Sequence, residues 1–557
     1  MPSNSITSKT IPQFNGQPIL GWPLAIFGIA LLFVSPLLIV LQFNLHPQTE
    51  TWQHLVDYVL WGYIKNSFLL ALGVAIGTFI IGVPTAWLCA LYSFPGKRLL
   101  EFLLLLPLAM PAYIIAYTYT GLLDFAGPIQ TYLRESFGWE HGDYWFPEIR
   151  SLGGAIAMLS FVLYPYVFLL TRSTLIVQSS SIIDAARLLG ANSFERFVTV
   201  IIPLARPAIV AGVMLALMET LADYGTVQYF GVDTFTIGII RTWFGFGEPQ
   251  TAAQLSSILM LTVFALFIFE QYSRRRMRYH NPAISNLKNH TITLTGKKTI
   301  LAIIACSIPP LLGFVLPVVQ LSEWAFLTAS KMIDQDFWKL AFNSFYLAAC
   351  TALVVITIAT ILAYGKRASQ NKALKNLVDF CAIGYAVPGI VIAVGTLIIF
   401  ANVDNWIIDL FGINFGIDLG LIFTGTILAL VFAHTVRFLS LGLQTIGASL
   451  TTINHSVDDA SRMLGSSVFT TLRSIHLPLI RSGLYTAALL VFVEVMKELP
   501  ATFIMRPFNF NTLAVRAYEL ASDERLADAS TAALAIVLTG LIPVILLNIS
   551  AKSNAQQ

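Results

Sequence analysis

The sequence has little charge. Only 11% of its 557 residues are Asp, Glu, Lys or Arg, against about 25% in soluble domains. With 56% hydrophobic residues and a mean hydropathy of +0.74, this excludes a large soluble core and fits a polytopic membrane protein. The net charge of +3 is too small to suggest a nucleic-acid partner. Cys89, Cys306, Cys350 and Cys381 stand singly within apolar runs, without paired or metal-ligand spacing, and read as small packing residues. The eight histidines form no HxxH or HExxH pattern, and GxSxG is absent, which argues against a zinc site and a membrane-embedded hydrolase. No GxxxxGK[ST] phosphate loop occurs. The nearest fragment, Gly296-Lys297-Lys298-Thr299, lacks the upstream glycine, so an ATP-driven process would need a partner to bind the nucleotide. No cofactor and no stable metal site are expected on this chain.

Long apolar runs are plentiful. A spanning helix needs roughly 20 mostly apolar residues, and twelve segments qualify: 22–43, 66–92, 99–123, 152–171, 204–224, 255–272, 299–321, 341–365, 377–401, 419–444, 483–505 and 528–550. The first run is too long for a signal-peptide core and is expected to be retained. Most of the 33 Lys and Arg fall on one side if both termini are cytoplasmic, Arg437 being counted among them. Residues 273–298 are polar and basic and read as a cytoplasmic linker between a first half, 1–272, and a second, 299–557. Their Arg run suits a lipid-headgroup anchor or a docking site.

The halves are related. DAARLLGANSFERFVTVIIPL (184–204) has a twin, DASRMLGSSVFTTLRSIHLPL (459–479). Each copy places a glycine six residues after its acid and a proline thirteen residues later, Gly190/Pro203 and Gly465/Pro478. Asn66 and Pro111 recur as Asn343 and Pro388, and Glu219 and Asp223 as Glu494 and Glu498. Six crossings per half give the halves one orientation and a parallel pseudo-two-fold axis. The expected fold is all-α, with about twelve transmembrane helices in two tandem six-helix repeats. In each loop the acid is expected to cap a helix, the glycine to permit a sharp turn, and the proline to mark re-entry into the membrane. Leu188, Leu189 and Phe194, and Met463, Leu464 and Phe469, would offer a partner an apolar face.

This pattern resembles the EAA motif of permease subunits in bacterial ATP-binding-cassette importers. The resemblance implies coupling residues Asp184, Ala185, Ala186, Gly190 and Pro203 in one half, and Asp459, Ala460, Ser461, Gly465 and Pro478 in the other. It departs mildly at the head, with Asp for Glu and Ser461 for the second Ala. It further implies an ATPase homodimer carrying ATP-Mg on the cytoplasmic face, a periplasmic substrate-binding protein, and residence in the inner membrane. The stretches LMETLADYGTVQYFG (217–231) and FVEVMKELPATFIMRP (492–507) resemble ferric-iron permeases of the fused type. Fused thiamine permeases are the alternative, and a twelve-helix secondary carrier is the rival from another class.

Glu219, Asp223, Tyr224, Glu494 and Glu498 are the expected pathway residues. Ionisable groups at membrane depth tend to face a cavity, and spacing of i to i+4 puts each acidic pair on one helix face. The plainer reading has these acids pair with Lys497, Arg241 or Arg506 to hold helices together. Glu140, Asp143, Glu148, Asp404, Asp409 and Asp418 are expected docking points for the binding protein.

Overall fold

A computed structural model describes residues 21–45, 49–140, 142–177, 190, 192–275, 292–369, 371–415 and 420–554. Numbering only the helices used below, the first half carries α1 (Gly21–Gln42), α2 (Leu60–Leu91), α3 (Ala112–Leu123), α4 (Leu152–Val177), α5 (Ile202–Ala222) and α6 (Pro249–Arg275). The second carries α7 (Lys297–Met332), which includes a π-turn, α8 (Gln335–Ala368), α9 (Lys372–Cys381), α10 (Gly389–Phe415), α11 (Ile427–Thr451), α12 (His455–Met463), α13 (Arg481–Met496) and α14 (Leu526–Asn554). Among the described residues ten helices are long and apolar enough to span a membrane, or up to twelve if each of two bent pairs is one span.

Equivalent helices pack alike. α2 lies against α4, and α8 against α11. α5 packs on α2 and α4, and α13 on α8 and α11. In lipid such contacts rest on close approach of small residues rather than on the hydrophobic effect. Gly73 and Gly77 show this. A Cβ on Gly77 would sit 2.2 Å from the Ser160 hydroxyl, and one on Gly73 2.4 Å from Ile156. The first helix of each half reaches across to the other. α1 packs on α9 and α10, where Gly395 meets the Pro36 carbonyl, and the Tyr119 hydroxyl of α3 donates to the Leu312 carbonyl of α7 at 2.7 Å.

Several expected spans are not single helices. The segment 99–123 breaks at Met110–Pro111, whose backbone is extended, and the flanking pieces Lys97–Ala109 and Ala112–Phe137 are bent by 96°. Pro107 and Pro111 remove two donors there. The equivalent 377–401 breaks ahead of Pro388, into α9 and α10. The tenth span runs over Ile427–Thr451, later than 419–444. The eleventh ends at Met496 and restarts as a short helix, Pro500–Met505. At the linker, α6 runs on to Arg275, Ile292–Thr293 pairs in parallel with Tyr92–Ser93, and Lys297 already opens α7.

Candidate functional site

The breaks after α5 and α13 are built by the acids singled out above. Asp223 leaves helical geometry, and its carboxylate accepts the N–H groups of Thr226 (3.0 Å) and Val227 (3.2 Å) and the Thr226 hydroxyl (3.0 Å). It thereby holds the start of the short helix Gly225–Tyr229. Glu498 repeats the device, accepting the N–H groups of Ala501 and Thr502 at 2.9 Å each and the Thr502 hydroxyl at 2.7 Å. A carboxylate suits a helix N-terminus because it meets free N–H groups and the positive end of the dipole.

Both breaks open onto one central cavity of about 120 Å³ at the seam of the halves. Glu219, Asp223, Glu494 and Glu498 all line it, with Arg437 and Lys497 as its only cations among the described residues. The four carboxylates are not equivalent. Lys497 lies 2.8 Å from Glu494. Arg437 donates to Glu498 at 3.0 Å, and His434 Nε2 lies 3.1 Å from the same carboxylate. Glu219 and Asp223 make no ion pair among the described residues. Glu219 lines the cavity together with Tyr385 and Tyr166. The Tyr113 hydroxyl, on the same wall, is buried without a hydrogen-bond partner among the described residues. The cavity thus offers carboxylate and phenol oxygens, the donor set of a hard cation. Among the described residues no cluster of three or more His, Cys, Asp or Glu is arranged to hold a metal ion.

Tyr224 is not among the lining residues. It is buried, stacks on Phe503 with ring centroids 5.8 Å apart, and its hydroxyl lies 3.4 Å from that of Tyr518. It cements the first half to the second. Of the expected structural partners, Lys497 does pair with an acid, whereas Arg241 pairs with Asp233 and Arg506 with Glu519. Asp404 is fully buried and accepts the N–H groups of Ile422, Phe423 and Thr424 at 2.7–3.2 Å, so it anchors a loop and offers nothing to a docking protein. Glu140, Asp143, Glu148 and Asp409 are exposed. Asp418 lies outside the described residues.

The second repeated loop is a short helix, a turn and a bend. Asn454, not Asp459, caps α12 by accepting the Ser456 N–H at 3.1 Å. Asp459 sits mid-helix and exposed, 3.6 Å from Arg462. The buried acid is its neighbour Asp458. Arg367 Nη2 lies 2.8 Å from it and His476 Nε2 2.7 Å. Burial works to raise the Asp458 pKa, but the hydrogen bonds from Arg367 and His476 outweigh it and hold the carboxyl below its usual range. Ala460 is exposed, and Ser461 is buried with its hydroxyl 2.7 Å from that of Thr471. Gly465 turns the chain at φ +78°, and Gly190 does the same at +86°. Both lie in the left-handed region that favours glycine. Each turn leads through a capped helical turn into a π-turn, 197–201 and 472–476, followed by Pro203 or Pro478. Asp184, Ala185 and Ala186 lie outside the described residues, as do Leu188 and Leu189. In the second copy Met463, Leu464 and Phe469 are 89%, 86% and 60% exposed, large apolar side chains close in sequence and open to an interaction partner.

A family model described as "Binding-protein-dependent transport system inner membrane component" matches the chain twice, over residues 82–279 and 356–555. The chain belongs to that family. It is a multi-pass inner-membrane permease component, matched once in each half. It is similar to the Fe(3+)-transport system permease protein FbpB 2 of Haemophilus influenzae, 27% identical over 87% of this chain and 89% of the relative. The ferric transport system permease protein FbpB of Actinobacillus pleuropneumoniae is 22% identical over 87% and 71%. The molybdenum transport system permease protein ModB of Haemophilus influenzae is 29% identical over 38% of this chain and 95% of its own length.

In this permease the residues that sequence reading missed are Arg437, His434, Tyr385, Tyr166 and Tyr113. Arg437 is no cytoplasmic charge. It is buried, midway along α11. A cation inside an apolar run is itself a pathway signal, and that signal was available. The tyrosines carried none, because an isolated tyrosine in a membrane helix looks like packing.

Proposed function

We propose that this permease is the translocating subunit of an ATP-driven importer of Fe(III), loaded by a periplasmic binding protein and powered by a separate ATPase dimer. Support for the mode of power comes from the Gly465 loop, whose Met463, Leu464 and Phe469 protrude without cover. Asp184–Pro203 and Asp459–Pro478 are the proposed contacts, and the loops and both termini are placed in the cytoplasm. ATP binding draws the loops together and opens the cavity outward, and hydrolysis resets it. ATP-Mg stays on the partner.

For the cargo, the carrying observation is the pair Glu219 and Asp223, cavity carboxylates that make no ion pair among the described residues. They suit transient passage of a hard cation from one oxygen set to the next. The names of three relatives matched over 79–87% of this chain, all ferric transport permeases, support the same reading. Molybdenum and sulfate permeases match 38% and 43% of this chain, and an oxyanion would need free cations. Arg437 and Lys497 are both engaged by carboxylates, which favours the cation.

The test is uptake into vesicles holding the permease, its ATPase and its binding protein, comparing Fe(III), thiamine and molybdate. Saturable ATP-dependent Fe(III) uptake is expected. Thiamine or molybdate uptake without iron uptake sinks the cargo assignment. Uptake abolished by an ionophore but indifferent to ATP depletion sinks the mode of power.

A further inference from the structure

Beside the Gly465 loop, α8, α9 and α11 enclose a second cavity, of about 510 Å³. Its floor is apolar, formed in part by Ala363, Val378 and Leu443. Its rim is basic, with Lys366, Arg367 and Lys375 set against one carboxylate, Asp379. Lys366 is paired with Asp379, and Arg367 is committed to Asp458 and to the carbonyls of Leu450 and Ile453. Lys375 makes no ion pair among the described residues. α9 buries Leu374, Val378 and Cys381 while Lys372 stays exposed, the pattern of a helix lying in a membrane interface.

The first half closes the equivalent space. In register with the repeat, Arg172 stands where the second half has Gly447, and Glu101 where it has Val378. Arg172 and Glu101 meet at 2.9 Å, with Lys97 3.9 Å from the same carboxylate. The second half lacks both members of that pair. A Cβ on Gly447 would meet nothing within 4 Å. The guanidinium is gone, the carboxylate is gone, and a cavity with surplus positive charge is left.

We propose that this cavity binds the phosphate of an anionic ligand, a phospholipid headgroup or a soluble phosphate, with Lys375 as its principal contact and Lys366 as a second. The ammonium groups serve as point charges for the phosphate, and the apolar floor receives the glycerol and first methylenes of a lipid. Basic pockets between helices at the membrane surface bind such headgroups. The occupant lies next to Arg367, the cation that holds α12 in place. That the rim faces the cytoplasm rests on the topology proposed above. The binding does not, so an inverted topology would leave the result below intact.

The full-length permease, purified in neutral detergent and freed of lipid, is titrated calorimetrically with dioctanoyl phosphatidylglycerol, dioctanoyl phosphatidylcholine and inorganic phosphate. Saturable phosphatidylglycerol binding at one site is expected, with weaker phosphatidylcholine binding. Lys375→Ala weakens it about fivefold, the effect of one surface cation on an anionic lipid. Gly447→Arg, which restores the side chain of the first half, abolishes it. Displacement of phosphatidylglycerol by inorganic phosphate at similar concentration assigns the site to a soluble phosphate, and failure of displacement assigns it to lipid. Equal binding of the two lipids, or phosphatidylglycerol binding that survives both substitutions, overturns the proposal. Lys375 is on the rim and outside the packed core, so its variant keeps the test valid if Gly447→Arg fails to fold.

Discussion

Glu498 is held by Arg437 at 3.0 Å, while the repeat places Val162 at the position equivalent to Arg437. Asp223, the partner of Glu498 in the repeat, keeps its capping bonds but meets no guanidinium among the described residues. The two halves share a backbone device and differ in charge at its centre.

Removing one member of a buried ion pair strands the other, at about 3–5 kcal/mol. Arg437→Ala is expected to lower the thermal stability of the purified permease strongly. Val162→Ala, at the equivalent apolar position, is expected to do much less. Thermal unfolding followed by size-exclusion chromatography compares them, and equal losses would show that the pair does not hold the cavity together.

Glu219 makes no ion pair among the described residues. Glu219→Gln is expected to leave stability within about 1 kcal/mol and to reduce ATP-dependent Fe(III) uptake at least about tenfold, one ligand-strength interaction at the barrier. Uptake at the parental rate in a well-folded variant would remove Glu219 from the pathway.

Leu464 is 86% exposed, so Leu464→Glu is expected to shift stability by less than about 0.5 kcal/mol. In the proposed complex it places a charge in an apolar contact, and co-purification of the ATPase should fall sharply. Undiminished co-purification would take the patch out of the interface.

The Asp458 carboxyl is held below its usual range by Arg367 and His476. A depressed folded-state pKa gives stability that is present above the unfolded value, about 3.9, and lost as pH falls through the folded value. Hydrogen exchange in α12 should accelerate below about pH 4 in the parent. Asp458→Asn should exchange faster at neutral pH and show a flatter acid response. An identical acid response in the variant would assign the effect to another group.

The polytopic class, a count of ten to twelve spans and the repeat were legible because they depend on run length, composition and spacing. The turns at Gly190 and Gly465 were legible because few residues other than glycine take a positive φ. The broken spans were not. Pro111 and Pro388 were visible, but a proline in a membrane helix is compatible with a kink as well as a break, and only the packing around it decides. Asp458 and Asp459 are adjacent acids in one motif, and choosing the buried one requires knowing that Arg367, 91 residues upstream, ends its helix beside it. Tyr224 followed Asp223 in sequence but does not line the cavity, because the helix ends at Ala222 and the chain is already non-helical at Asp223.

The Arg367–Asp458–His476 clamp carries one more consequence. Its acid and its imidazole correspond to Ile183 and Ile201 in the first half, side chains that cannot form it. In the complex proposed above, a permease made of two identical subunits would present the same linkage to both ATPase subunits. Fusion of the halves lifts that requirement. In such a complex, one loop is tied to its neighbouring helix by this charge cluster and the other has isoleucines at two of its positions, so equal strokes from a symmetric ATPase dimer need not turn the two halves through equal angles.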